Sequence, residues 1–226
     1  MAAQPSVALV AKLLDHACLR PEATAADLAR QAAMCVDRGV GCLCVRSVDV
    51  AAARRLLAGS PVVVAAVIGF PHGGTRSEVK AVEARFAVED GARELDMVVN
   101  VAALRSGDLA TVREEIAAVV AVARPAGVLV KVILETCFLS TEQIVAGCRL
   151  AEEAGADFVK TSTGFGTGGA TPEAVRTMLE AIGGRLGVKA SGGIRTWQDA
   201  IFYLSLGCRR LGVGDAAAIL DGAPGR

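Results

Sequence analysis

Lysine is scarce in this chain, and its placement carries chemistry. Of 24 basic residues only Lys12, Lys80, Lys131, Lys160 and Lys189 are lysine. Three of the five lie inside short apolar runs: Leu-Val-Lys131-Val-Ile-Leu, Asp-Phe-Val-Lys160-Thr-Ser-Thr and Gly-Val-Lys189-Ala-Ser-Gly-Gly. An ammonium among apolar neighbours is costly unless it is paired or neutralised, and Asp96, in Glu-Leu-Asp96-Met-Val-Val, offers one carboxylate in a fourth run. One reading is structural: Lys131 and Asp96 form an interior ion pair while Lys160 and Lys189 extend their tips to solvent. The pair Lys160 and Lys189 fits that reading less well, because two ammonium groups brought together do not stabilise each other. They do lower each other's proton affinity. A lysine at its reference value of about 10.4 is neutral in only about one molecule in 2,500 at pH 7. A second ammonium beside an apolar wall raises that fraction and yields a nucleophilic amine for Schiff-base chemistry on a carbonyl.

Glycine-rich segments follow two of these lysines directly. Thr163-Gly164-Phe-Gly-Thr-Gly-Gly169 follows Lys160, and Ser191-Gly192-Gly193-Ile-Arg195 follows Lys189. Glycines let backbone amides approach an anion, and helix amino termini favour negative charge, so both loops suit a phosphate group. A tight turn explains a lone glycine equally well.

These residues must be carried by elements that bring them together. Short runs rich in Val, Ile and Leu, without polar alternation, read as parallel strands covered on both faces. Seven are clear, at 42–45, 62–70, 94–99, 129–135, 158–162, 188–191 and 210–213, and a weaker eighth lies at 16–19. Between them fall helix starts. Thr75 with Glu78, Ser140 with Gln143, Thr24 with Asp27 and Thr196 with Asp199 read as capping boxes, Thr171 precedes Pro172, and Ser47 and Asp108 read as simple caps. Eight strand-helix units over 226 residues predict an α/β fold, a single (β/α)8 TIM barrel filling residues 1–226, with an open doubly wound sheet as the alternative. In such a barrel, inward side chains near the carboxyl ends of the strands converge on one site.

Composition narrows the partners. Lys plus Arg and Asp plus Glu both number 24, for a formal charge of zero, and 53% of residues are hydrophobic. Without a basic patch there is no electrostatic footprint for nucleic acid or an anionic membrane, and no apolar run approaches the roughly 18 residues of a spanning helix. The expected partners are small molecules and the expected compartment is the cytoplasm. Seven cysteines without C-x-x-C spacing, Cys42 and Cys44 included, read as buried apolar residues rather than metal ligands, and His16 and His72 as structural hydrogen-bonding groups.

Taken together, Phe158-Val-Lys160-Thr-Ser-Thr-Gly164, Val188-Lys189-Ala-Ser-Gly-Gly-Ile-Arg195, Glu94-Leu-Asp96-Met-Val-Val, Val67-Ile-Gly-Phe-Pro-His72-Gly and Leu14-Asp-His16 resemble the 2-deoxyribose-5-phosphate aldolases, from about Leu14 to Leu220. The resemblance implies a class I aldolase without metal or organic cofactor, reversibly cleaving 2-deoxy-D-ribose 5-phosphate to acetaldehyde and D-glyceraldehyde 3-phosphate. It implies Lys160 as the Schiff-base lysine, Lys189 as the lysine perturbing it and Asp96 as the carboxylate assisting proton transfer. Lys131, Cys44, Thr163, Gly164, Gly192, Gly193, Arg195, Gly214 and Asp215 are the residues expected to bind substrate, and a homodimer is the expected assembly. Gly212-Val-Gly214-Asp215 departs from the family, whose members usually place hydroxyls at the last two positions. A carboxylate beside a phosphate dianion repels it, so the departure predicts weakened phosphate affinity unless Asp215 simply caps the last helix. Two alternatives follow: an imine-forming aldolase preferring an unphosphorylated or different acceptor aldehyde, and a non-catalytic sugar-phosphate binding barrel, for which an activated amine would have no use.

Overall fold

A computed structural model describes residues 5–224. Eight strands, β1 (Leu14–Cys18), β2 (Cys42–Val45), β3 (Val63–Ile68), β4 (Glu94–Val98), β5 (Leu129–Ile133), β6 (Phe158–Lys160), β7 (Gly187–Ser191) and β8 (Arg210–Val213), close into one barrel in sequence order. Every pairing is parallel, including the closing pair of β1 and β8. The helices around it are α1 (Val7–Leu13), α2 (Ala25–Arg38), α3 (Val50–Leu56), α4 (Ser77–Glu89), α5 (Val101–Ser106), α6 (Leu109–Ala123), α7 (Thr141–Glu153), α8 (Pro172–Ile182), α9 (Trp197–Leu206) and α10 (Ala216–Asp221). The (β/α)8 expectation is met and the open sheet is excluded by the β1 to β8 pairing.

Alternation along each strand sorts side chains between two cores. Outward residues such as Leu43, Val64, Leu95, Val132, Val188 and Leu211 pack against the helices in one continuous apolar cluster. Inward residues behave differently on the two halves of the barrel. On β2 and β3 the interior is small and apolar, formed by Cys42, Cys44, Ala65 and Val67, whereas Asp15, Glu94, Asp96, Lys131, Lys160 and Lys189 are buried from the other strands. The interior is therefore half hydrocarbon and half ion pairs.

The capping expectations hold at most helices. Thr24 with Asp27, Ser140 with Gln143 and Thr196 with Asp199 form reciprocal boxes, and Thr171 and Asp108 accept from Ala174 and Thr111. Two do not. α4 starts at Ser77 with Arg76 as its uncapped first neighbour, because the Glu78 carboxylate turns to the Arg76 guanidinium at 3.3 Å instead of reaching Thr75. Ser47 opens a 3-10 turn ahead of α3 and gives its hydroxyl to Glu83 at 2.8 Å, so it caps nothing. Strand ends also moved: β1 begins two residues earlier than predicted, at Leu14, which brings Asp15 into the barrel wall.

Candidate active site

Parallel register sets the site. Asp96 of β4 lies level with Lys131 of β5, and Lys160 of β6 lies level with Lys189 of β7. Since paired residues share a face, all four point inward. Lys160 Nζ and Lys189 Nζ each donate to Asp96 Oδ2 at 2.7 Å, and Lys131 Nζ donates to Asp96 Oδ1 at 2.7 Å. One carboxylate thus collects three ammonium groups from three neighbouring strands. The reading in which the Lys160 and Lys189 tips reach solvent is overturned, since the two residues are only 3% and 1% exposed.

The network extends from these four to residues that the sequence reading did not assign. Lys189 also donates to Asp15, Lys131 contacts Glu94 at 2.5 Å and Asp15 at 3.3 Å, and Arg210 bonds Asp15 at 2.7 Å and Glu94 at 2.9 Å. Spacing offered a signal for one of them: Glu94 stands two residues before Asp96 on a strand, hence on the same face. Asp15 and Arg210 carried no such mark, because their partners lie 174 and 195 residues away in sequence.

The electrostatic consequences differ between the amines. Burial alone pushes Lys189 and Lys131 down, but Asp15 and Asp96 outweigh it, joined for Lys131 by Glu94, and both amines hold their protons more tightly than a free lysine. Lys160 is the exception. Burial lowers its proton affinity, Asp96 opposes that only in part, and the Lys189 charge lowers it further, so its amine sits below the ordinary lysine value. Burial would raise Asp96, yet Lys131, Lys160 and Lys189 hold its carboxyl well below the usual range. The lysine with the loosest proton is the one flanked by an anion that stays charged.

Above this floor opens a cavity of about 820 Å³. Lys160, Lys189 and Cys44 form its base, Thr163, Gly164, Gly192, Gly193 and Arg195 one wall, and Gly214 and Asp215 another. Asp96 and Lys131 are fully buried beneath it and do not line it. For Lys131 this corrects the expectation of substrate contact: held by Glu94, Asp15 and Asp96, its ammonium positions the Asp96 carboxylate from below. Cys44 lies in the base as expected, its thiol pushed up to about 11 chiefly by burial, so it is protonated at neutral pH.

The two glycine-rich loops brace each other. Gly192 adopts φ 86° with its Cα against Gly169, and a Cβ on Gly169 would fall 2.3 Å from the Gly192 carbonyl oxygen. Ala170 N donates to the Ser191 and Gly192 carbonyls at 3.0 Å, and the Thr161 hydroxyl takes the Ser191 amide at 3.0 Å. Glu135, also unassigned from sequence, anchors the first loop: its carboxylate accepts from the Thr163 amide at 3.2 Å and from the Thr163 hydroxyl. It does so from φ 57°, a left-handed conformation rare outside glycine. His16 is structural, as expected. Its Nδ1 accepts from Ala216 N at 3.3 Å, which leaves Nε2 to donate to Gln31 at 2.7 Å. Asp15, Cys42 and Glu94 place metal-ligand atoms within 4.8 Å of one another. The donor set does not suit a cation, because Lys131 and Arg210 already neutralise both carboxylates and the Cys42 thiol is raised well above its ordinary value, chiefly by burial.

Comparison with known proteins agrees with this geometry. The pattern described as DeoC/LacD family aldolase matches residues 9–206. The chain belongs to that family. As a member it is an enzyme, a carbon-carbon lyase of the aldolase type. It is 49% identical over 216 residues to the deoxyribose-phosphate aldolase of Thermococcus gammatolerans, covering 95% of this chain and 96% of that one. To the deoxyribose-phosphate aldolase of Carboxydothermus hydrogenoformans it is 47% identical, covering 94% of each. Among solved structures, the deoxyribose phosphate aldolase from Aeropyrum pernix, described as a unique tetramer, superposes with a TM-score of 0.90 at 34% identity, covering 96% of this chain and 91% of that chain. Family membership and buried lysine cluster therefore point the same way.

Proposed function

We propose that this aldolase cleaves 2-deoxy-D-ribose 5-phosphate reversibly to acetaldehyde and D-glyceraldehyde 3-phosphate through an imine on Lys160. The observation that carries the reading is Lys160 itself, an amine of lowered proton affinity at the cavity base, 2.7 Å from a carboxylate that stays ionised. Neutral Lys160 adds to the C1 aldehyde of the open-chain sugar, and loss of water gives a protonated imine. The imine accepts the electron pair of the C2 to C3 bond as that bond breaks. Asp96, through a water molecule, takes the proton from the C3 hydroxyl, and glyceraldehyde 3-phosphate leaves. Protonation of the remaining enamine at carbon and hydrolysis of the imine release acetaldehyde and free Lys160. Lys189 acts as the charge that keeps the Lys160 proton loose.

Borohydride reduction with acetaldehyde, followed by peptide mapping, tests this. One ethyl group on Lys160 is expected, and the Lys160→Ala variant should trap nothing and lose turnover by on the order of 10⁴-fold or more. Adducts scattered over Lys12 and Lys80, or normal turnover in Lys160→Ala, overturn the assignment.

A second reading concerns the acceptor. Asp215 lines the cavity wall, and its carboxylate caps α10 by taking the Ala218 amide at 2.9 Å. The helix cap is therefore present as one reading expected, but the capping carboxylate lines the cavity instead of facing away, and beside a phosphate it would favour an unphosphorylated aldehyde over its phosphate ester. Activity on deoxyribose against its 5-phosphate decides it. Asp215→Ser should lower KM for the phosphate ester alone; a wild-type enzyme strongly selective for the ester retires the reading.

No helix of the described residues is long and apolar enough to cross a membrane. Seven free cysteines, six of them buried, support the cytoplasm as the compartment, since thiols persist where the medium is reducing. We propose a homodimer as the assembly.

A further inference from the structure

The mouth of the barrel is open on one side only. The cavity is lined from β1, β2, β6, β7 and β8 and the segments that follow them, and among the described residues none between Cys44 and Lys160 reaches it. The arc formed by β3, β4 and β5 is closed, although Asp96 and Lys131 point into the interior there.

Two aromatic rings account for the closure. Phe70, in the loop after β3, and Phe165, in the loop after β6, meet edge to face with centroids 5.2 Å apart and planes at 85°, an attractive arrangement of ring quadrupoles. Three strands separate their positions in a ring of eight, so the contact crosses the mouth as a chord and the ends of β4 and β5 lie behind it. Both rings are fixed. Phe70 packs on the apolar half of the interior, against the cluster of Cys42, Cys44, Ala65 and Val67. Phe165 is aimed by its backbone, since its amide donates to the Thr163 hydroxyl oxygen at 3.0 Å and that hydroxyl donates to Glu135. The Phe165 side chain is 44% exposed and lines the cavity, where an apolar surface is a contact for the apolar part of a ligand.

With C1 of the sugar on Lys160 and the phosphate toward the glycine-rich loops of the open side, the aldehyde end of the chain is the end that meets the rings. Its C2 bears no hydroxyl in a 2-deoxy sugar, which suits an aromatic surface, and it becomes the methyl carbon of acetaldehyde. A donor aldehyde with a larger group on that carbon would run into the rings. We propose that Phe70 and Phe165 form a roof that restricts the donor to acetaldehyde by leaving no room for a substituent on its methyl carbon.

The inference rests on the Lys160 imine, and one experiment separates the two. Borohydride is added to the enzyme with equal concentrations of acetaldehyde and 3-methylbutanal, and the two adducts on Lys160 are compared by peptide mapping. In the wild type the ethyl group should exceed the 3-methylbutyl group about a hundredfold, and Phe165→Ala should cut that excess by about tenfold or more. Phe70→Ala should do the same from the opposite loop. Phe202→Ala, which removes a ring that is 41% exposed and does not line the cavity, should leave the ratio as it is. Circular dichroism checks that each variant folds, and because the two roof substitutions lie on separate loops, either one carries the test. No ethyl group on Lys160 in the wild type overturns the imine and the roof together. A wild type that takes both aldehydes equally, a ratio unchanged in either folded roof variant, or the same shift in Phe202→Ala overturns the roof alone.

Discussion

At the scale of single residues, the site is one carboxylate shared by three amines, and the amines are not equivalent. Lys131 is locked beneath the floor by Glu94, Asp15 and Asp96, and Lys189 by Asp15 and Asp96. Lys160 has Asp96 alone. That asymmetry gives opposite predictions for two substitutions. Lys189→Met removes a repelling charge, so the Lys160 proton tightens and the acid limb of the kcat/KM profile moves to higher pH. Asp96→Asn removes the attraction that raises Lys160, so the limb moves to lower pH. Turnover in Asp96→Asn should fall by about 10²–10⁴-fold if the proposed general base is lost, while borohydride still traps acetaldehyde on Lys160. Two variants shifting the limb in the same direction would show that Lys160 is not the titrating group.

At the scale of elements, the sequence was legible wherever local chemistry decides the outcome. Continuous apolar runs marked the strands, three capping boxes marked α2, α7 and α9, and Lys160, Lys189 and Asp96 stood out because charge in an apolar run demands an explanation. What could not be read was register. Whether Asp15 meets Lys189 depends on the closing pair of β1 and β8, which no local pattern encodes. Glu135 was hidden for a similar reason, since its role follows from a left-handed backbone at the end of β5. The pair outside the barrel, Lys80 with Glu115, shows the same limit. Lys80 on α4 donates to Glu115 on α6 at 2.5 Å, and Glu115 in turn takes the Asn100 amide. Burial lowers the proton affinity of this lysine and raises that of this carboxyl, so desolvation outweighs the attraction and the pair is a fixed joint rather than a source of stability. Lys80→Met, leaving Glu115 buried and charged without its cation, should cost about 3–5 kcal/mol in chemical denaturation. Lys80→Met/Glu115→Gln should cost clearly less, because the amide still accepts from Asn100 and carries no charge. Equal losses in the two variants would mean that lost packing, not stranded charge, sets the cost.

At the scale of the molecule, the barrel interior is a charge ledger with one entry too many. Asp15, Glu94 and Asp96 face Lys131, Lys160, Lys189 and Arg210, three anions against four cations when all are ionised. Shedding one proton balances the set, and Lys160 is the member whose proton is loosest. The fold thus favours the neutral amine that the proposed imine requires, at a cost in stability, since an enzyme site is often optimised against the stability of its scaffold. The sign follows from linkage. An amine whose folded proton affinity is lowered costs stability in full below its folded value, and the cost vanishes as pH rises past the unfolded value of about 10.4. Lys160→Met keeps an unbranched side chain of similar length, leaves Asp96 paired with Lys131 and Lys189, and balances the interior at three against three. It should be inactive yet more stable than the wild type at pH 7, by about 0.5–2 kcal/mol, with the advantage shrinking toward pH 10. Lys131→Met reaches the same count but removes the cation that contacts Asp15, Glu94 and Asp96 together, and should lose about 3–5 kcal/mol. Denaturant midpoints of both variants, measured from pH 6 to pH 10, test the ledger. A Lys160→Met protein less stable than wild type at neutral pH would show that the fourth cation holds the barrel together, and that the excess charge is not what loosens its proton.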